Sequence, residues 1–540
     1  MTKRSSLASL ALAATLPVAL TACAHADDGA PLDASSTAAI AAHNTATTST
    51  VTNKQSSSPS AENIVESEVK TPKLVEDSPD VASATVYDGE TITKAGTYRI
   101  SGEQGDVIVD AGDADVVLIL DNATIAGQIN VVSADKVQVH AVGSSTVTAT
   151  APDSAAIYSH ADLMLSGDGT VTVHSEGEGA DGIASSDDLA LYSGTWKVTA
   201  ADDAFRGKDS ASVLGGHLDA TAGDDGVRSD VSVHLSGGTV DVNAGGDGVH
   251  SDVALLIDGG DVTVASSTEG LEAGLLSISD GTVNLTSSND GINGSGATSV
   301  DATTEQEQQE QSEEAAGPQP PEGMPEPPQG MQEPPQGMQE PPQGMQKPQE
   351  GMQEPPQGMQ QPQEGMQPPQ QGGASGGQPG AGMEQSTGEQ IVISGGTVKV
   401  NAAGDGIDSN GDLRINGGTV LVFGPSDGAN GTFDYAGSFS IDGGTVIGLG
   451  SAGMPADPTG GTQSFISAHL DSSVTGGAVT IEDSSGTVIA TIAAGDKPFA
   501  LVQYSSDKIS AGQSYTVKAG ASSVSVVAGS RAESSAPTRR

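Results

Sequence analysis

The chain is poor in cysteine, in aromatic residues and in basic residues. Its 540 residues include one Cys and 14 aromatic residues, and 21 Lys+Arg oppose 70 Asp+Glu, which gives a formal net charge of -49. A single Cys excludes an internal disulfide, and the lack of basic patches argues against binding to nucleic acid or docking on anionic lipid. The acid excess instead favours cationic partners, or partners that bind through cations.

The first 23 residues have the layout of an export signal. Lys3 and Arg4 precede an apolar stretch over 7–20 that is too short for a lasting membrane span. The sequence LTAC at 20–23 resembles the lipobox of bacterial lipoproteins, in which the Cys carries the lipid. The alternative is an ordinary signal peptide with a coincidental Cys. We expect an exported protein that Cys23 anchors to the cell membrane, facing the extracellular side.

Three segments lack the composition of a packed domain. Residues 24–82 contain no aromatic residue and predict a disordered tether. Residues 300–390 repeat PPQGMQE, with 15 acidic residues against Lys347 alone, and their prolines exclude a coiled coil. We expect this Pro/Met/Gln-rich insertion to be disordered, either as a solvent loop without a partner or as a ligand for another surface protein. A disordered tail is predicted for 531–540.

A repeat of about 22 residues dominates the rest of the chain. An acidic-glycine turn recurs at this spacing, a second glycine marker follows the same period, and both resume after the insertion. Within a repeat, apolar and polar residues alternate as in GGTVDVNA, which is typical of strands with one buried face. The acidic markers are Asp181, Asp203, Asp225, Asp247, Glu269, Asp290, Asp405 and Asp427.

Three short strands per repeat, separated by Gly-bearing turns, describe one coil of a β-solenoid. Gly-Gly and Asp-Gly turns break helices, and no 3.6-residue period occurs, so a helical solenoid is excluded. The sequence therefore predicts an all-β, right-handed parallel β-helix. We expect irregular first coils within 83–299, last coils at 391–450 and a C-terminal β cap or small β domain at 451–530.

Stacking would place acidic turns one above another. Asp203, Asp225 and Asp247 share one column, with Asp202 and Asp224 beside the first two. Unit charges of the same sign about 4–5 Å apart repel by roughly 4 kcal/mol at an effective dielectric near 20, so protonation, backbone N–H donors, neighbouring Arg or a bound cation must relieve the column. Among cations Ca2+ fits best, because it takes six to eight oxygen ligands. The alternative is a structural role, since Asp before Gly often closes a turn.

A basic column follows the acidic one. Arg and Lys beside Asp could neutralise the carboxylates or could recognise an anionic ligand, because Arg grips a carboxylate through two hydrogen bonds. On another face, Asp219 and Asp241 lie one coil apart, and they form either a glycosidase-like acid/base pair or a solvated surface. The members of the basic column and its neighbours are Arg206, Lys208, Arg228, Asp230 and His250.

Several segments resemble a known family. The stretch DLALYSGTWKVTAADDAFRGKDSASVLGGHLDATAGDDGVRSD at 188–230, together with ITKAGTYRISG at 92–102, DVVLILDNATI at 115–125 and LVQYSSDKISAGQSYTV at 501–517, resembles the bacterial extracytoplasmic carbohydrate-binding domain family. The resemblance implies a polysaccharide-lyase-like right-handed β-helix that binds calcium and acidic polysaccharide, with no established catalysis. Its strongest motif, GDDG[IV]RSD, falls here on Asp202, Asp203, Arg206, Asp224, Asp225, Arg228 and Asp230.

Three hypotheses follow. The first is a non-catalytic, calcium-dependent binder of acidic, uronate-type polysaccharide, with Ca2+ at Asp202, Asp203, Asp224, Asp225 and Asp247 and carbohydrate contacts from the basic column. The second is a calcium-dependent lyase of the pectate type, in which Arg206 or Arg228 acts as the base. The third is a structural surface stalk or adhesin without glycan affinity.

Overall fold

A computed structural model describes residues 71–299 and 386–529 together with the backbone of 531–532. These residues form 36 β-strands and no helix, so no apolar helix of membrane-spanning length occurs in this part of the chain. Most strands stack in parallel at a spacing of one coil. The predicted parallel β-helix is therefore confirmed. Cys23 and most of the predicted tether, insertion and tail lie outside the described residues.

The first coils vary in length. Neighbouring strands pair Thr146 with Thr172 and Thr172 with Lys197, which is more than 22 residues per coil. The strands of this part are β1 (Thr85–Val86), β2 (Gly96–Gln104), β3 (Val107–Asp110), β4 (Asp115–Ala126), β5 (Ile129–Ser133), β6 (Lys136–Val142), β7 (Ser144–Ala149), β8 (Ile157–Ser159), β9 (Asp162–Gly167) and β10 (Thr170–Ser175).

The following coils are regular, and each contributes strands to three parallel sheets. Their strands are β11 (Ile183–Ser185), β12 (Asp188–Leu191), β13 (Thr195–Thr199), β14 (Phe205–Gly207), β15 (Ser210–Val213), β16 (His217–Thr221), β17 (Val227–Ser229), β18 (Ser232–Leu235), β19 (Thr239–Asn243), β20 (Val249–Ser266), β21 (Leu271–Ser287), β22 (Ile292–Gly294), β23 (Gln390–Ile393), β24 (Thr397–Ala402), β25 (Ile407–Ser409), β26 (Asp412–Ile415), β27 (Thr419–Phe423), β28 (Phe439–Ile441) and β29 (Thr445–Gly450).

We name the sheets by the coil of residues 205–221. Sheet I contains β14, sheet II contains β15 and sheet III contains β16, each with its partners in the coils above and below. The inward residues form ladders of Val, Leu and Ile that join into one continuous apolar core. Because the side chains alternate along each strand, the residues between them point outward and form columns of their own.

The C-terminal cap continues the solenoid with antiparallel strands. β33 pairs with both β29 and β30, and a separate four-stranded sheet has the order β32-β31-β34-β35. A second apolar core joins these strands to Phe423, Ile447 and Leu449 of the last coils. The strands are β30 (Phe465–Thr475), β31 (Ala478–Asp483), β32 (Val488–Ala493), β33 (Pro498–Ser505), β34 (Ser514–Ala519), β35 (Ser522–Val527) and β36 (Arg531–Ala532).

Residues 71–80 cover the outer side of the first coils, and we call them the N-terminal strap. The Tyr192 hydroxyl donates to the Pro72 carbonyl oxygen at 2.5 Å, and the Gln138 side chain both accepts from Glu76 N and donates to Glu76 O at 2.9 Å. The prediction of a free tether reaching residue 82 is therefore wrong for the strap. It overlooked that the outward residue Gln138 is polar and offers hydrogen bonds to a covering chain.

Candidate functional site

The predicted acidic column exists, and we call Asp203, Asp225 and Asp247 the acidic ladder. Each residue precedes a sheet I strand, and all three are buried, with exposures of 3%, 3% and 9%. One oxygen of each carboxylate accepts a hydrogen bond from the backbone N–H of the next coil. The distances are 3.0 Å for Asp225 N to Asp203 Oδ1, 2.7 Å for Asp247 N to Asp225 Oδ1 and 3.1 Å for Glu269 N to Asp247 Oδ1.

The ladder therefore has a structural role. Each carboxylate satisfies a buried backbone N–H of its neighbouring coil, which would otherwise cost about 1–3 kcal/mol if left unpaired. The same type of hydrogen bond joins the coils on the two sides of the insertion, where Asp405 N donates to Asp290 Oδ1 at 2.6 Å. The sequence suggested that such an Asp closes its own turn, whereas the structure shows that it caps the turn of the next coil.

Sheet I aligns the predicted basic column beside the ladder. Arg206 is in register with Arg228, Arg228 with His250, and His250 with Glu272. Arg228 Nη1 lies 2.8 Å from Asp225 Oδ2, and His250 Nδ1 lies 3.0 Å from Asp247 Oδ2. The outward oxygens of Asp225 and Asp247 are thus already paired with cations of the protein.

A second acidic column lies on the other side of these basic side chains. His250 Nε2 is 3.0 Å from Asp252 Oδ1, and Arg206 Nη2 is 3.6 Å from Asp230 Oδ1. Arg228 Nη2 also lies 3.7 Å from Asp252 Oδ1. The basic column is therefore enclosed by carboxylates on both sides, which is the neutralising network that was one of the two predicted roles.

A cluster of three carboxylates lies at the edge of this network, and we call it the 202–224 cluster. One carboxylate oxygen from each of Asp202, Asp203 and Asp224 lies within 4.8 Å of the other two. Asp203 Oδ2 has only distant basic neighbours, with Arg206 Nε at 3.9 Å and Arg228 Nε at 3.8 Å. Within the described residues, no ion pair engages Asp202 or Asp224.

A glycine in the next coil makes room for this cluster. A Cβ on Gly246 would lie 2.3 Å from Asp224 Oδ1 and 2.6 Å from Asp225 Oδ1. Gly246 occupies the column position of Asp202 and Asp224, so the series of outer acids ends there. The predicted site residues thus divide into the 202–224 cluster and the cation-paired acids Asp225 and Asp247.

Burial makes the ionised state of several acids costly. Burial, reinforced by the neighbouring Asp225 charge, raises the pKa of Asp203 to about 7. Burial and the nearby Glu269 raise the pKa of Glu272. Burial alone would lower the pKa of His250, but its hydrogen bonds to Asp247 and Asp252 raise that pKa and hold the imidazole in its charged form. Protons or cations are therefore needed to relieve these carboxylates.

The remaining predicted residues take different positions. Lys208 is exposed and its backbone carbonyl accepts a hydrogen bond from Asp230 N at 3.1 Å. On sheet III, Lys197 Nζ lies 2.7 Å from Asp219 Oδ2, and His217 Nε2 lies 3.0 Å from Asp241 Oδ2. Each of these two carboxylates has its own basic partner, as expected for a solvated surface.

One acidic grouping was missed by the sequence analysis. Asp162, Asp187 and Asp188 bring their carboxylates together, and burial raises the pKa of Asp162 to about 6. The irregular coil length in this part hid the alignment of the column. Glu269 and Glu272 meet Asp247 in another grouping, and the 22-residue period places Glu269 in the column of acidic markers and Glu272 in the column of His250.

Residues 88–312, which are less than half of the chain, match a family model described as carbohydrate-binding domain-containing protein. A solved structure described as the polysaccharide lyase-like protein from C. thermocellum, a gadolinium derivative, is 28% identical, covers 38% of this chain and 94% of that chain, and has a TM-score of 0.29. No curated protein matches the chain. The matched residues include the acidic ladder and the basic column, and the family match supports carbohydrate binding by this part of the chain.

Proposed function

We propose that this chain is a non-catalytic protein that binds acidic, uronate-type polysaccharide through Ca2+ held by the 202–224 cluster. The observation that carries the proposal is the convergence of three carboxylates within 4.8 Å, two of them without a basic partner among the described residues. Carboxylate oxygens are the ligands that Ca2+ prefers, and its flexible geometry leaves positions for water or for a sugar carboxylate.

The donor set fits calcium at the 202–224 cluster and does not fit it at Asp225 and Asp247. The outward oxygens of Asp225 and Asp247 contact Arg228 and His250 at 2.8 Å and 3.0 Å, and a divalent cation there would meet these positive groups. We therefore assign Asp225 and Asp247 to support of the turn. When bound, Ca2+ would supply positive charge that bridges the cluster to a uronate carboxylate.

The exposed basic side chains at the edge of the network would add direct contacts. The Arg206 side chain keeps 36% of its surface exposed, and Lys208, two residues further along the chain, is also exposed. We assign these two residues to the glycan. Arg228, His250 and Asp230 are more enclosed and hold the network in place.

Retention on polygalacturonate tests this function. We expect strong binding of the full chain in the presence of calcium, much weaker binding with excess chelator and no binding to a neutral galactan. Retention that complete chelation leaves undiminished would exclude calcium bridging, and absence of retention on every uronate polymer would support the stalk hypothesis.

The lyase hypothesis is less consistent with the site. A lyase base must take a proton from the carbon beside the uronate carboxyl, yet carboxylates lie beside both Arg206 and Arg228. Burial alone would lower the pKa of Arg228, but its hydrogen bond to Asp225 raises that pKa and so opposes a role as the base. The same retention assay should therefore release no unsaturated uronide, even at high protein concentration. Release of such a product would establish the lyase instead.

We also propose that Cys23 carries a lipid anchor that holds the protein at the cell membrane, facing outward. The support is the sequence LTAC at 20–23, which contains the single Cys of the chain. Labelling with an alkyne analogue of palmitate should mark the protein, and a Cys23→Ser variant should remain unlabelled. Equal labelling of both proteins would contradict the anchor. For the insertion at 300–390, the two predictions remain a solvent loop without a partner and a ligand for another surface protein.

A further inference from the structure

A cleft of about 480 Å³ lies on the outer face of sheet III, away from the acidic ladder on sheet I. Its floor consists of outward residues from successive coils, and the loop 495–497 of the C-terminal cap forms one wall. This volume falls in the range of about 300–1,000 Å³ that is typical of small-molecule sites. Neither the family match nor the predicted site covers the loop.

Polar side chains converge on the floor of the cleft. Asn284 is in register with Lys399, and Thr286 is in register with Asn401. Because coils stack about 4.8 Å apart, these groups form short parallel rows. Within the described part of the chain, the amides of Asn284 and Asn401 make no side-chain hydrogen bond, so they are available to the hydroxyls of a ligand.

A cation and an aromatic ring stand at the C-terminal end of the cleft. Lys399 Nζ lies 5.9 Å from the centroid of the Phe423 ring, and none of the described carboxylates forms an ion pair with it. The lining of the cleft holds the Lys399 and Lys497 ammonium groups against the carboxylate of Asp496. This balance of charge favours an anionic ligand.

The cap holds this end in place. Lys497 Nζ donates to the Phe423 carbonyl oxygen at 3.3 Å and also to the Ala402 carbonyl oxygen, so the loop is tied to two coils. A Cβ on Gly495 would lie 3.1 Å from Phe423 Cε1, and the glycine therefore lets the loop pass close to the ring. The cleft is bounded at this end and suits the terminus of an oligosaccharide better than the middle of a long chain.

We propose that this cleft is a second, metal-independent carbohydrate site that binds the end of an acidic oligosaccharide. Lys399 would pair with a uronate carboxylate, and Asn284 and Asn401 would bind hydroxyls. The choice of a uronate as ligand rests on the function proposed for the 202–224 cluster, but the geometry of the cleft does not.

Titration calorimetry with trigalacturonate in excess chelator tests the cleft. Wild-type protein should bind, Lys399→Met should weaken binding at least tenfold, and the methyl ester of the trisaccharide should bind as weakly to wild type. Lys94→Met is the matched control, because it removes the same charge from an exposed position far along the chain, and it should bind like wild type. Lack of binding in chelator, or equal binding by Lys399→Met, would overturn the proposal.

Different experimental results would contradict the proposals for the two sites. If calcium-dependent retention on polygalacturonate is absent while trigalacturonate binds in chelator and requires Lys399, the cleft proposal is supported and the function proposed for the 202–224 cluster is wrong. If retention depends on calcium while trigalacturonate does not bind in chelator, the function of the 202–224 cluster is supported and the cleft proposal is wrong. Lys399 is exposed, so an unchanged melting temperature should show that its variant is folded.

Discussion

Arg228 lies close to three carboxylates, two of which belong to the acidic ladder. Its guanidinium contacts Asp225 at 2.8 Å and lies 3.8 Å and 3.7 Å from Asp203 and Asp252. Breaking a fully buried pair costs about 3–5 kcal/mol, because one charge is left without a partner. The Arg228 side chain is 26% exposed, so we expect a smaller cost.

Arg228→Ala should therefore lower the free energy of unfolding by about 2–3 kcal/mol, measured by urea denaturation without calcium. Arg414→Ala is the matched control, since Arg414 pairs with Asp412 at the same 2.8 Å but is 38% exposed. An exposed pair contributes about 0–1 kcal/mol. Equal losses in the two variants would contradict the role of Arg228.

Asp408 provides a test by pH. It lies in the outward column of sheet I, and burial together with the Asp434 and Asp405 charges raises its pKa to about 7 from 3.8. At pH values between these two pKa values, Asp408 therefore keeps its proton in the folded protein and has lost it in the unfolded chain. Stability from this group is complete below about pH 4 and declines as the pH rises through 7.

Asp408→Asn should accordingly melt at a higher temperature than wild type at pH 8, and the difference should disappear near pH 4. Asp427→Asn, at an exposed position, should leave the melting temperature unchanged at both pH values. A gain that is independent of pH would show that Asp408 is not protonated in the folded protein.

The sequence could predict which of these residues are neighbours, because a 22-residue period dictates the columns. It placed Asp203, Asp225 and Asp247 in one column and Arg206, Arg228 and His250 in the next. It could not predict that the Asp oxygens accept hydrogen bonds from the next coil, because that depends on turn geometry. It also missed Asp162, whose column is hidden by coils longer than 22 residues.

At the scale of elements, the N-terminal strap is a covering segment that the sequence did not reveal. Its contacts are made through single polar groups, such as Gln138, which is completely buried and also donates to Ser166 Oγ at 2.9 Å. No period or motif marks residues 71–80, since they form no strand of the repeat. The sequence offers one hint of the strap, which is the polar residue Gln138 at a position that faces outward from its strand.

Gln138→Leu should detach the strap, because it removes both hydrogen bonds to Glu76 and leaves that backbone unpaired. We expect faster hydrogen exchange at residues 71–80, by about a factor of ten if about 1.4 kcal/mol of local stability is lost. Gln104→Leu, which removes a single bond to the Ser101 carbonyl oxygen at an exposed site, should leave exchange in the strap unchanged. Protection that survives Gln138→Leu would show that the strap is held by its apolar contacts.

For the whole molecule, the net charge of -49 is distributed in two different ways. Part of it lies in the insertion at 300–390, and part is arranged in columns where backbone N–H groups and basic side chains neutralise it. The 202–224 cluster is one place among the described residues where basic side chains do not complete this neutralisation. The central claim is that Ca2+ completes it and in doing so links the protein to a uronate.

Thermodynamic linkage tests this claim most directly, because a cation shared between protein and glycan must couple the two affinities equally. Calcium titration calorimetry should show that saturating oligogalacturonate raises calcium affinity by the same factor as calcium raises oligogalacturonate affinity. Asp202→Asn/Asp224→Asn should abolish both effects, and Asp113→Asn/Asp471→Asn, at exposed positions, should retain them. Calcium affinity that is unchanged by the glycan, or full coupling in the Asp202→Asn/Asp224→Asn variant, would contradict the account.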